Sequence, residues 1–446
     1  MFHRVSLTDL EQADCIYVSQ GHGQAKGPTC DLGGSLAQVS GRHSERTGDY
    51  QQGINPAGLA RVVRCLRGWA RQADDELTYQ PAAEARILLS TDLESAFCRM
   101  LRSGGFAKTE AADAQLARWS AVMWRSGHTK CWQRVGDSWE LDEAKVGTPQ
   151  GLRSGQLSFA VEVTADVRES TQGVDVAMVG IHDDWYFELA AEDLPLLWSK
   201  LSEGMSTLNH KMSADKCSVL PLAPRGSSQY LAAEAAAKAA GVPLAAGHVD
   251  ALGTALGGLR EISLEADGRL RGTPQKFLAK RIIQLETDAR LVTDLLELSS
   301  HTNAAQVAWA LLGGATSKGL DYDLAMLPPR FTAEARQRVG TALRATVDVF
   351  RGTPLSDAEW TQARLPSWLG GGDVGIFSDT AAAARYIASW MTSGKEAQEL
   401  AAELGRPLRD LPEREEAEDA RQILGKAGIL LTPAPCSEGV SPGPLL

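Results

Sequence analysis

The sequence predicts an α+β protein, and three patterns lead to that class. Short apolar runs of strand length, two of them paired as hairpins, fall within the first 260 or so residues. Stretches with helical periodicity alternate with them. From Gln275 to Trp390 helical patterns dominate.

Residues 1–48 are rich in Gly, Ser, Gln and His and carry no sustained period, so they are expected to form a loose leader. "GLARVVRCLRGWARQA" places its apolar residues at helical spacing. "ARILLSTDL" is an apolar run of strand length that ends at Asp92, and "ADAQLARWSAVMWRSG" reads as a helix. "KCWQRVGDSWELDEAKV" reads as a hairpin turning near Gly136-Asp137-Ser138. "GTPQG" is a loop, followed by a helix to about Arg168. "VDVAMVGIHDDWYFELA" is a second hairpin, with His182-Asp183-Asp184 at its turn. A helix over 193–205, a strand over Cys217–Pro221 and the Ala-rich helix "YLAAEAAAKAAG" follow. Gly370–Gly375 reads as a turn, because no Lys-Ser/Thr follows to make a phosphate loop. "EAQELAAEL" and "EREEAEDARQIL" are acidic and helical, and "LTPAPCSEGVSPGPLL" is expected to fray.

A chain of 446 residues with 43% hydrophobic content can bury a large core. It contains no run of about 18 apolar residues, so no membrane span is expected. The seven scattered cysteines include no CxxC, which points away from zinc or disulfide frameworks and towards a reducing compartment, nucleus or cytoplasm. A net charge of −11 excludes a simple basic nucleic-acid coat protein. It leaves room for a local basic track, "GRLRGTPQKFLAKR", with Arg269, Arg271, Lys276, Lys280 and Arg281. On charge alone the same residues also suit a solvated helix entry.

Asp183 and Asp184 are like charges at the tip of an apolar hairpin, and they repel unless a cation neutralises them. If the Asp92 strand pairs with that hairpin, three carboxylates meet at one sheet edge. Such hard oxygen ligands suit Mg²⁺, and two ions about 3.5–4 Å apart can clamp an in-line phosphoryl displacement. Taken singly, Asp92 also fits a helix N-cap, the aspartate pair fits a turn, Phe97 fits a core, Gln150 a loop and Lys216 a solvated surface. A phosphohydrolase using "HDD" as a His-Asp metal pair would need a helical bundle with further His ligands, and the β-rich flanks of His182 oppose it.

"TDLESAF", "GTPQGLRSGQLSF", "GIHDDWYF", "LNHKMSADKCSV" and "LGTALGG" occur in that order. Together they resemble the palm motifs of reverse transcriptases, in particular those of non-LTR retrotransposons, and the likeness covers roughly residues 49–395. The resemblance implies a right-hand polymerase with a ferredoxin-like palm and partial fingers over 49–260. A mostly helical thumb over 261–350, a post-thumb region over 351–395 and an acidic helix and tail over 396–446 would follow. It implies that Asp92, Asp183 and Asp184 bind two Mg²⁺ ions (or Mn²⁺), with Phe97 as a steric gate under the sugar. Gln150 and Gly151 would lie against the incoming nucleotide, Lys216 would act as a general acid, and "LGTALGG" would form a primer grip. The implied partners are an RNA template, a DNA primer and deoxynucleoside triphosphates, with no membrane. The alternative is a truncated, inactive relative that at most binds nucleic acid.

Overall fold

A computed structural model describes residues 15–19, 58–79, 84–112, 114, 117–118, 121, 129–135, 138–143, 147, 153–245, 249–256, 263–264, 270–271, 273–298, 303–375, 377–429 and 431. The chain divides into two compact units, Met1–Gly257 with Glu396–Arg409 and Gly258–Lys395 with Asp410–Leu446.

In the first unit, β1 (Cys15–Ser19), β3 (Thr129–Val135) and β4 (Ser138–Glu143) form an antiparallel sheet in the order β1-β3-β4. The expected hairpin is therefore present, but it gains a strand from the supposed loose leader. "CIYVS" carries Ile16, Tyr17 and Val18, and β-branched and aromatic residues suit a pleated ladder even inside a polar segment.

The main sheet contains β2 (Arg86–Thr91), β5 (Val176–Ile181), β6 (Asp184–Ala190) and β7 (Ser218–Pro221). Its order is β5-β6-β2-β7, and every neighbouring pair is antiparallel. The helix Arg153–Ser170 connects β2 to β5, and Leu194–Thr207 connects β6 to β7. This is the βαββαβ topology of a ferredoxin-like unit. Ile87, Leu89, Met178, Trp185, Phe187, Leu189 and Val219 pack with Phe159, Val163 and Val167 of the first helix. Leu194, Leu197, Leu201 and Met205 of the second helix complete that layer, with Ala233 and Ala237 from Ser228–Ala240.

Alternate residues on the opposite face, such as Leu88, Val179 and Tyr186, are buried as well. The helix Gly58–Tyr79 packs against β5 and supplies Val62, Cys65, Leu66 and Trp69 to the interior. Burial on both faces explains why the strands read as continuous apolar runs rather than alternating ones. Arg406 pairs with Glu188 at 3.1 Å and with Asp175 at 2.7 Å, while its carbonyl accepts the Trp69 indole N–H at 2.9 Å. Residues 396–409 thus belong with the first unit, although the sequence grouped them with a terminal tail.

The helix expected over "ADAQLARWSAVMWRSG" falls largely outside the described residues, and the helix seen just before it is Arg102–Ala112.

In the second unit, the long helices Thr273–Leu298 and Pro329–Arg351 pack together. Leu278, Ile282, Leu285 and Val292 share a core with Ala335, Val339, Leu343 and Val347, at the three-to-seven spacing of one helix face. Trp360, Val374 and Phe377 of the 351–395 segment join the same core. A second cluster joins Tyr386, Ile387 and Trp390 to Ala417, Ala420 and Leu424. Among the described residues, no helix is long and apolar enough to cross a membrane.

Candidate active site

The last ladder pair between β2 and β6 is Thr91↔Trp185, and β5 and β6 close with Ile181↔Asp184. β2 ends at Thr91, and extending the register by one residue would bring Asp92 opposite Asp184. By strand alternation both lie on the face of Leu88, Ser90, Tyr186 and Glu188. Opposed residues in an antiparallel ladder have Cβ atoms about 4.5–5.5 Å apart, close enough for two carboxylates to repel strongly. Asp183 sits in the adjoining turn. The structure thus brings together the three aspartates expected at one sheet edge, with one change: Asp184 opens β6, and the turn is only His182-Asp183.

The turn itself is constrained. His182 has φ 56°, a left-handed conformation uncommon for a side-chain-bearing residue. Trp185 lies across Gly180, where an added Cβ would come within 2.6 Å of the indole, and its Nε1–H donates to the His182 carbonyl at 3.2 Å. Glycine at position 180 is therefore required by close approach. On the β2 side, the Asp92 amide donates to Cys217 Sγ at 3.4 Å, and the Asp92 carbonyl accepts from the Ser213 amide at 2.9 Å. The segment "LNHKMSADKCSV" therefore anchors the strand end that carries Asp92.

The electrostatics reflect burial first and crowding of negative charge second. Burial, then Asp183 and then Asp92, push the Asp184 carboxyl up to about 7, with Lys216 pulling the other way. Asp183 is also raised, mainly by burial and secondarily by Asp92, against its own backbone amide and the nearby cations. Burial holds the His182 imidazole below its usual range despite Asp183. Lys216 Nζ lies 3.4 Å from Asp92 Oδ1, so this lysine stands at the carboxylates and not merely in solvent. Among the described residues, no group of three or more His, Cys, Asp or Glu side chains is arranged to hold a metal ion.

Phe97 follows on the short helix Ala96–Arg99. Its ring centroid is 4.3 Å from Phe159 and 6.3 Å from His182. The ring is thus half packing residue and half neighbour of the aspartate turn. Gln150, Gly151 and Arg269 lie outside the described residues, as do the side chains of Arg271 and Lys276. Lys280 is exposed, but Arg281 departs from the expected basic track: its guanidinium pairs at 3.6 Å with the fully buried Asp323. A buried carboxylate needs a partner more than a surface track needs one more charge.

Sequence reading missed Arg67. It is 4% exposed, and its guanidinium donates to the Ala255 carbonyl at 3.0 Å and to Thr254 Oγ1 at 3.0 Å. It thereby fixes the small hairpin of β8 (Val249–Ala251) and β9 (Thr254–Leu256), which carries "LGTAL". The signal was present: arginines 64 and 67 interrupt the apolar face of an otherwise well-patterned helix. Arg406 was missed because its partners, Asp175 and Glu188, lie more than 200 residues away in sequence.

No family model and no curated protein matches the chain. Among solved structures, it is similar to apo telomerase from Candida tropicalis, with a TM-score of 0.38, 9% identity, and 88% of this chain covering 58% of that one. It is also similar to telomerase from Candida albicans in complex with a TWJ fragment of telomeric RNA, with a TM-score of 0.33, 11% identity, and 89% of this chain covering 62% of that one. The chain spans less than two thirds of either telomerase chain. At these scores the likeness carries neither a fold nor a function to this protein.

Proposed function

We propose that the chain is a nucleotidyltransferase of the reverse-transcriptase kind, related to non-LTR retrotransposon enzymes, which adds deoxynucleotides to a DNA primer along an RNA template. The observation that supports this most is the register of the main sheet. It sets Asp92 opposite Asp184 and beside the Asp183 turn, at one end of a βαββαβ unit. The five ordered motifs give the reading its chemistry.

In this reading Asp92, Asp183 and Asp184 would hold divalent ions, hard cations that suit carboxylate oxygens. Bound there, Mg²⁺ would supply charge stabilisation for the attacking and leaving oxygens. Burial first, then the neighbouring Asp183 and Asp92, disfavour the charged form of Asp184, and a bound cation would offset the repulsion among the three carboxylates. The primer 3′-hydroxyl attacks the α-phosphorus of the triphosphate and pyrophosphate leaves. Lys216, whose Nζ lies 3.4 Å from Asp92 Oδ1, would donate a proton to that leaving group. Phe97, beside His182, would contact the sugar where a 2′-hydroxyl would project. The β8–β9 hairpin, braced by Arg67, would carry the primer end.

Primer extension on an RNA template with Mg²⁺ tests the proposal. Extension should occur with the parent and fall by orders of magnitude in Asp183→Ala, which removes one ligand of a two-ion site. Absence of extension by the parent would favour an inactive relative. Equal extension by parent and variant would overturn the site.

A further inference from the structure

The second unit contains a pocket that the catalytic reading does not use. A cavity of about 280 Å³ lies among the helix Pro329–Arg351, the helix Asp357–Arg364 and the Phe377–Ser378 segment. Three arginines line it, Arg336, Arg344 and Arg364, together with Trp360, Ser378 and Gly340.

The three arginines are not equivalent. Arg336 is 5% exposed and well satisfied: it donates to the Phe377 carbonyl at 3.0 Å and pairs with Asp379 at 2.5 Å. It therefore builds the wall. Arg344 pairs with Asp357 at 2.9 Å and donates to the Leu355 carbonyl at 2.6 Å. Both aspartates are largely exposed, at 75% and 94%, and their charge is shared with water. Arg364 differs from both. Among the described residues it has no carboxylate partner, its Nε is buried without a hydrogen bond, and its guanidinium lies 5.9 Å from the Trp360 ring. Burial alone lowers its pKa, the direction expected when a cation loses water and gains no anion.

A buried donor left without a partner is destabilising, more so when it belongs to a charged group. An anion in the pocket would supply the charge partner that Arg364 lacks among the described residues. The planar guanidinium fork matches phosphate oxygens in pairs, and Ser378 adds a hydroxyl that can serve the same oxygens. The cavity falls just short of the roughly 300–1,000 Å³ of sites that enclose a whole drug-sized ligand. It has room for a phosphoryl group and part of a sugar. The chain as a whole carries −11, so general charge does not account for a cationic pocket here.

We propose that this pocket is a phosphate-binding site, which takes one phosphoryl group carried either by a free nucleotide or by a nucleic-acid strand. The site stands on its own geometry and does not depend on the polymerase reading.

Calorimetric titration of the full chain in EDTA tests it, because chelation silences any ion-dependent binding at the aspartates. The probes are a deoxynucleoside monophosphate, the same nucleoside without its phosphate, and a short single-stranded oligodeoxynucleotide with no terminal phosphate. The variants are Arg364→Met, which removes the unpartnered fork, and Gly340→Met, which fills the cavity and leaves every guanidinium in place. A Cβ at Gly340 meets only Phe377, at an ordinary 3.7 Å, so the new side chain starts without a clash. Melting curves confirm that both variants fold, and Arg364→Met should melt no lower than the parent. The expected result is phosphate-dependent binding by the parent that weakens at least tenfold in both variants. If the oligonucleotide shows that loss, the strand backbone is the source of the phosphate. If only the monophosphate shows it, the source is a free nucleotide. Binding that ignores the phosphate, or that survives unchanged in both folded variants, overturns the proposal.

Discussion

Asp184 gives the clearest reading at the scale of single residues. Its carboxyl is raised from 3.8 to about 7 by burial and by Asp183 and Asp92, so the folded, ion-free protein binds that proton more tightly than the unfolded chain does. The corresponding stability is full below about pH 4, the unfolded value, and is lost as pH rises through about 7. Asp184→Asn should remove this slope and raise the melting temperature in EDTA at pH 8 by about 2–4 °C. A variant that melts below the parent at pH 8 would show that the carboxylate is already neutralised by a partner. Phe97 carries a second test. Its contacts with Phe159 and His182 predict two effects of Phe97→Val: a loss of about 1–3 kcal/mol in stability from the cavity, and about tenfold or greater relative use of ribonucleotides in a competition assay. A lower melting point with unchanged sugar preference would make the ring a packing residue alone. The aspartates were legible in sequence because like charges at an apolar hairpin tip need an explanation. The protonation of Asp184 was not, because it depends on which strand comes alongside.

Among the elements, the two hairpins, the Asp92 strand and the long helices were legible because each carries its own period and its own turn residues. The βαββαβ order was legible only through the motif series, since strand periodicity does not say which strand pairs with which. The strand at Cys15–Ser19 was lost in a polar segment: five residues are too few to set a period, and its partner β3 begins more than 100 residues later. Arg67 marks a similar limit, for a charged residue on an apolar helix face can be solvated or buried, and only the β8–β9 carbonyls decide. Arg67→Lys keeps the charge and loses the paired geometry, so it should not restore the brace. Measured on primer–template titrations, Arg67→Lys and Arg67→Met should both raise the KM for primer–template about tenfold and leave the KM for nucleotide nearly unchanged. Equal effects on the two constants would mean that the arginine supports the whole unit and not the hairpin in particular.

For the whole molecule, composition gave class and size but misplaced some charge. Arg281 pairs with Asp323, which is buried in the second unit, and a pocket lined by Arg336, Arg344 and Arg364 is assembled there from positions too far apart in sequence to read as a run. Residues 396–409 return to the first unit because Arg406 answers Glu188, a long-range pairing that no local pattern announces. The central claim is that the first unit presents three carboxylates short of a cation. Electron paramagnetic resonance titration with Mn²⁺ tests this most directly, since it needs neither template nor turnover. The parent should bind Mn²⁺ with an affinity that rises as pH passes about 7 and the Asp184 proton leaves, and Asp92→Asn or Asp183→Asn should each weaken binding about tenfold or more. Mn²⁺ binding that is absent in the parent, or equal in the parent and both variants, would contradict the account.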